Sequence, residues 1–140
     1  MVEKKIAYTN YAGEAKVFTA YFDLDSIGLA ELDRKVEGGF NALLARAAES
    51  GSASKYLDAY EAVLKEAYCE RTEDGDTVNR GEEVFNRFKN NRKAYNALFN
   101  EVTKSEESAQ AFFYSMMDPE LIVRIEEQKK AENAAAGNNS

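Results

Sequence analysis

The chain has 140 residues, enough for one domain whose core needs neither disulfides nor metal. Its formal charge is −7, from 18 Lys and Arg against 25 Asp and Glu. Lys4, Lys5 and Lys16 share their segment with Glu3 and Glu14, which argues against a phosphate-binding surface and against nucleic acid as a partner. Histidine is absent and Cys69 is the single cysteine, so composition excludes zinc sites, Ser-His-Asp and Cys-His chemistry, and any intramolecular disulfide. No apolar run approaches the ~20 residues a bilayer crossing needs, so no membrane partner is expected and the expected setting is a reducing cytoplasm.

Val2 to Tyr8 and Lys16 to Leu24 read as two strands around a turn carrying Asn10 and Gly13. In the second, Phe18, Ala20, Phe22 and Leu24 fall on one face and Val17, Thr19 and Tyr21 on the other, the period a strand requires. A lone hairpin is marginal, so the Phe18/Phe22 face should pack on helices. The half-polar Val17/Tyr21 face is left for a further strand, a helix or a partner. Asp25 or Ser26 can cap a helix from about Ile27 to Glu37, which Gly38-Gly39 ends. Phe40, Leu43, Leu44 and Ala47 stripe the next helix, closed by Gly51. From Ser52 or Ser54 runs the longest stripe: Tyr56, Leu57, Tyr60, Val63, Leu64, Ala67 and Tyr68.

That helix is expected to stop in the acidic turn Glu70-Arg71-Thr72-Glu73-Asp74-Gly75. Val84, Phe85 and Phe88 mark a short helix, and Ala94, Tyr95, Leu98, Phe99 and Val102 another, with a break at Lys89-Asn90-Asn91. Thr103 and Glu106 have capping-box spacing ahead of Ala109, Phe112, Phe113, Met116 and Met117. Asp118-Pro119 opens a last helix with Leu121, Ile122 and Ile125 on a thin stripe. The fold class expected is α+β, an N-terminal two-stranded hairpin packed on a bundle of five or six short helices. Residues 1–118 form the domain (hairpin 2–24, helical part 26–117), 119–130 a short helical extension and 131–140 a disordered tail.

The carboxylates Glu70, Glu73, Asp74 and Asp76 invite a cation site, but Val78 stands where an EF-hand needs an oxygen ligand, and a solvated turn is the reading that fits. Cys69, placed at a helix C-terminus beside Glu70, is expected to be an inert thiol. The remaining Asp and Glu lie in loops or on polar helix faces, and no enzyme, cofactor or metal is expected. Phe112, Phe113, Met116 and Met117 have the spacing of a core stripe. They cover a wider arc than one seam needs, and methionine-rich helices suit adaptable recognition of other helices, so a binding reading stays open.

Several strings, in order, carry a resemblance. These are Ile6-Ala7-Tyr8-Thr9-Asn10-Tyr11, Val17-Phe18-Thr19-Ala20-Tyr21-Phe22, Glu37-Gly38-Gly39 and Ala67-Tyr68-Cys69-Glu70-Arg71-Thr72-Glu73-Asp74-Gly75. After them come Phe85 and Phe88, Ala94-Tyr95-Asn96-Ala97-Leu98-Phe99, and Ala109-Gln110-Ala111-Phe112-Phe113. The chain resembles the tail assembly chaperones of long-tailed, siphovirus-type bacteriophages over residues 3 to about 117. It departs from them at Cys69, where a small residue is common, and in the extension from Asp118 to Ser140.

The resemblance implies a non-enzymatic protein that binds and solubilises the tape measure protein in the host cytoplasm and is absent from the mature virion. It also implies a frameshift-extended form that recruits the tail tube protein. Phe112, Phe113, Met116, Met117, Leu121, Ile122 and Ile125 are the candidate partner surface. The rival reading is a virion structural or connector protein, a homo-oligomer joined through the hairpin edge.

Overall fold

The computed structural model describes residues 1–50 and 53–138, and the side chains of these except at positions 44, 46–50, 53, 55–56 and 136–138. Strands β1 (Val2–Thr9) and β2 (Ala15–Phe22) pair antiparallel without interruption, from Val2 opposite Phe22 to Thr9 opposite Ala15. Their turn forms as the sequence suggests: the Asn10 side-chain oxygen accepts from the Ala12 and Glu14 amides at 3.0 and 2.9 Å. Ile6, Ala20 and Phe22 are buried on one face, while Glu3, Lys5, Ala7, Val17 and Thr19 are exposed on the other.

Helix α1 (Ser26–Lys35) starts at the Asp25 cap, whose carboxylate accepts from the Gly28 amide at 2.8 Å. Gly38 and Gly39 then turn the chain with φ of 80° and 81° into α2 (Gly39–Ser50). A Cβ on Gly39 would lie 2.6 Å from the Asp33 carboxylate, which accepts from the Phe40 amide at 3.0 Å, so this close turn requires glycine. Helix α3 (Ala53–Ala67) follows. The closing Gly51, the start at Ser52, and the stripe side chains of Leu44, Ala47 and Tyr56 lie outside the described residues.

The next segment differs from expectation. Tyr68 does not continue the long helix: Tyr68–Arg71 is a strand, β3, pairing with β2 through Tyr21 opposite Cys69 and Phe22 opposite Tyr68. The acidic turn joins it to a short β4 (Val78–Asn79), giving a four-stranded antiparallel sheet in the order β1-β2-β3-β4 among the described residues. The end of β2 offers an unfilled ladder, and Tyr68 adds its ring to the sheet's buried face while Cys69 turns to the other.

Helices α4 (Glu82–Asn90), α5 (Arg92–Val102), α6 (Glu106–Ser115) and α7 (Pro119–Asn138) complete the α+β fold. Seven helices are therefore described, where five or six were expected. Thr103 does not start α6. Its hydroxyl donates to the Phe99 carbonyl at 2.7 Å and closes α5, while Ser105 caps α6 by accepting from the Ser108 amide at 3.0 Å. A threonine hydroxyl reaches back one helical turn readily, and that bond takes it out of the capping box. Pro119 opens α7 as predicted, with the Asp118 carbonyl accepting from Leu121 and Ile122. The helix runs on through Asn138; from Ala131 to Ala135 every residue is exposed, the feature behind the expectation of a frayed tail.

The centre of the core is aromatic. Phe88 stacks on Tyr68 at 5.2 Å and on Phe18 at 5.1 Å, and meets Phe22 and Tyr95 edge-on at 6.0 and 5.4 Å. Tyr60 meets Tyr95 and Phe99, each at 5.2 Å, and carries the packing from the sheet to the helical layer.

Candidate partner-binding surface

Helix α6 lies between the sheet and the helical layer. Phe112 meets Phe22 of β2 edge-on at 5.4 Å, whereas its neighbour Phe113 meets Phe40 of α2 at 6.3 Å. This wedge position explains the wide apolar arc of α6: consecutive rings fill two seams. At its end the Met116 carbonyl accepts from the Leu24 amide at 3.0 Å, locking the end of β2 to the end of α6. Of the seven side chains singled out for partner binding, Phe113, Met116, Met117, Leu121 and Ile125 are buried, and Phe112 and Ile122 are half-buried against the core. They share one α6–α7 corner of the protein. In this state the corner is packed and does not form an open surface.

What holds α7 there is limited. Leu121 and Ile125, on its first turns, reach the core. Beyond them Tyr114 of α6 acts as a polar clasp, its hydroxyl donating to Glu126 at 2.6 Å and accepting from Lys129 at 3.1 Å. The Lys129 ammonium also lies 5.5 Å from the centre of the Tyr114 ring.

Past that clasp the helices part around a pocket of about 330 Å³ between α2, α3, α5, α6 and α7. Its floor is apolar: Ala59 and Tyr60 of α3, Val102 at the end of α5, and Ala109 and Phe113 of α6. Glu106, Lys129 and Glu132 stand on the rim. Burial, with Tyr95 beside it, pushes the Tyr60 pKa upward, so that hydroxyl stays neutral; it donates to the Tyr95 carbonyl at 3.1 Å. Asn41 is also among the lining residues; its side-chain oxygen is buried with no hydrogen-bond partner among the described residues. Sequence reasoning missed this site, because its residues come from five helices. The one local signal is Ala59 and Ala109, small residues on core-facing positions where a larger side chain would fill the space.

The other candidates resolve into structure. In the turn after β3, Asp74 accepts from the Thr72 hydroxyl at 2.6 Å and from the Asp76 and Thr77 amides at 2.9 and 3.0 Å. These bonds, the Thr72 hydroxyl foremost, hold its pKa down at about 2. Gly75, with φ of 75°, supplies the left-handed step. Among the described residues no cluster of carboxylates, Cys or His has the makings of a metal site. Cys69 is buried on β3, not at a helix end as the sequence suggested; burial rather than a helix dipole raises its pKa and keeps the thiol protonated.

The fold is a small α+β scaffold with a packed aromatic centre and a helix-lined apolar pocket. The chain matches the family model described as phage tail assembly chaperone over residues 1–140, its whole length, and belongs to that family. Membership places the protein in phage tail assembly, in a non-enzymatic role in the host cell rather than in the particle. A search of curated proteins and of solved structures returned no match. No described helix is long and apolar enough to cross a membrane.

Proposed function

We propose that the chain binds amphipathic helical segments of the tape measure protein and keeps them soluble while the tail is built. The observation that carries this reading is the apolar pocket between the helices. An apolar side chain of the partner helix seats over Tyr60, Ala109 and Phe113. The rim charges Glu106, Lys129 and Glu132 orient it. The net charge of −7 keeps the complex dispersed.

Helix α7 is the second part of the proposal. It rests on the body through Leu121 and Ile125 as a partner helix would, so a competing helix can take its place. Its departure uncovers Phe113, Met116 and Met117 beside Phe112, the α6 part of the surface expected from the sequence. Within the same reading, a frameshift-extended form carries the tail tube protein to this complex.

Co-expression with the tape measure protein tests the proposal. The wild-type chain should hold the tape measure in the soluble fraction. Ala45→Trp, an exposed change at the pocket mouth, should lose that effect with its melting temperature unchanged. A tape measure equally insoluble with and without the chain overturns the reading. Mass spectrometry of purified virions addresses the rival: a virion or connector subunit would be found there, a chaperone would not.

A further inference from the structure

The sheet ends on one side in β1, which is eight residues long and pairs with β2 along its whole length without a bulge. Backbone groups alternate in direction along a strand, so half of those in β1 point away from β2. Among the described residues no hydrogen bond meets these outward groups. The opposite edge, β4, has two residues and cannot offer a comparable ladder. Natural edge strands are usually blunted by proline, bulges or charge, because an open ladder recruits another strand. Proline and bulge are absent from β1, and its charges have mixed sign.

The arrangement of those charges is what decides the occupant. We propose that β1 pairs antiparallel with β1 of a second copy of this chain, about a two-fold axis at Lys4, joining two sheets into one. Antiparallel pairing of a strand with itself allows few registers, since opposed residues must share a face. With the axis at Lys4, Glu3 of each copy faces Lys5 of the other, twice, on the exposed side of the sheet. Neither Glu3 nor Lys5 has an ion-pair partner among the described residues of its own chain.

The axis at Lys5 would set that lysine against its own copy. The axis at Ile6 would set Glu3 against Thr9 and Lys5 against Ala7, with no charge matched. On the buried side, the Lys4 register puts half-buried Val2 beside Ile6 of the other copy. The two Lys4 side chains that meet at the axis each bring a counter-charge, Glu101 of α5 at 2.6 Å. Backbone hydrogen bonds supply the affinity and the Glu3–Lys5 pairs select the register.

This self-pairing is independent of the pocket and of what the pocket binds. The test is the oligomeric state in four samples by sedimentation or light scattering at high micromolar concentration. Wild type should be dimeric. Glu3→Lys places Lys opposite Lys twice, and Lys5→Glu places Glu opposite Glu twice; each should weaken self-association roughly tenfold or more. An equimolar mixture of the two variants restores opposite charges at both positions and should recover a mixed dimer. Both residues are exposed, so the circular dichroism of each variant and of their mixture should match wild type.

A monomeric wild type overturns the proposal. So does a dimer that either variant leaves intact, or a mixture that stays monomeric. Hydrogen exchange adds one further outcome: β1 amides protected only on addition of a tail protein would assign the edge to that partner instead.

Discussion

The sheet side and the α6–α7 corner are built differently. Between β2, β3, α4 and α5, rings meet rings: Phe22, Tyr68, Phe85, Phe88 and Tyr95 form a continuous cluster with centroids 5.2 to 6.4 Å apart. Burial pushes the Tyr68 pKa up to about 12, and the hydroxyl stays neutral there. At the other corner the packing rests on unbranched Met116 and Met117, on two side chains of α7, and on the Tyr114 clasp, with a pocket alongside. Rigid, close-packed rings make a scaffold; flexible methionines and a lightly held helix make a surface that can be rearranged. The two regions meet where Phe112 packs edge-on against Phe22.

Truncations probe the contrast most directly. Phe88→Ala, at the hub of four ring contacts, should cost about 3–5 kcal/mol in chemical denaturation and expose the whole amide pattern together. Leu121→Ala at the other corner should cost less, about 2 kcal/mol, because α7 can shift into the space. Its signature is local: α7 amides should exchange well before those of β2 and β3. If Leu121→Ala unfolds the sheet as readily as Phe88→Ala does, the two regions are one unit and the contrast fails.

A smaller effect sharpens the picture of the scaffold. The Tyr95 hydroxyl is buried without a hydrogen-bond partner among the described residues, so Tyr95→Phe should leave stability within about 1 kcal/mol of wild type or raise it. A loss well beyond that, measured by urea titration, would mean that the hydroxyl has a partner in solution.

The smallest effect concerns the turn beyond β3. Asp74 has its pKa lowered from the ordinary 3.8 to about 2, so its contribution is complete above the ordinary value and fades as pH falls from there through about 2. A carboxyl titration followed by NMR should find Asp74 still ionised at pH 3, and an ordinary midpoint would break the turn geometry described here.

These contrasts were legible in the sequence to different depths. The hairpin could be read from the alternation of Phe18, Ala20 and Phe22, α1 from Asp25, and α7 from Asp118-Pro119, because each signal lies within a few residues. Strand β3 could not. Tyr68 completes a helical stripe as well as it begins a strand, and only pairing with Phe22, far away in the chain, decides the matter. Phe112 and Phe113 show a similar limit: periodicity revealed a wide apolar arc, and the two-sided packing of α6 explains it. The pocket was illegible because no local pattern records a gap between five helices.

The bond from the Leu24 amide to the Met116 carbonyl also sets an order of events during synthesis. The hairpin leaves the ribosome early, but its buried face waits for β3 and α4, and the end of β2 waits for α6. At about 5–20 residues per second, translation takes several seconds to supply it. During that interval β1 and β2 are a bare ribbon, with Phe18 and Phe22 still open to water. Nascent chains on a shared message would then present these ribbons to one another, so the amount of active protein should depend on how densely ribosomes load that message.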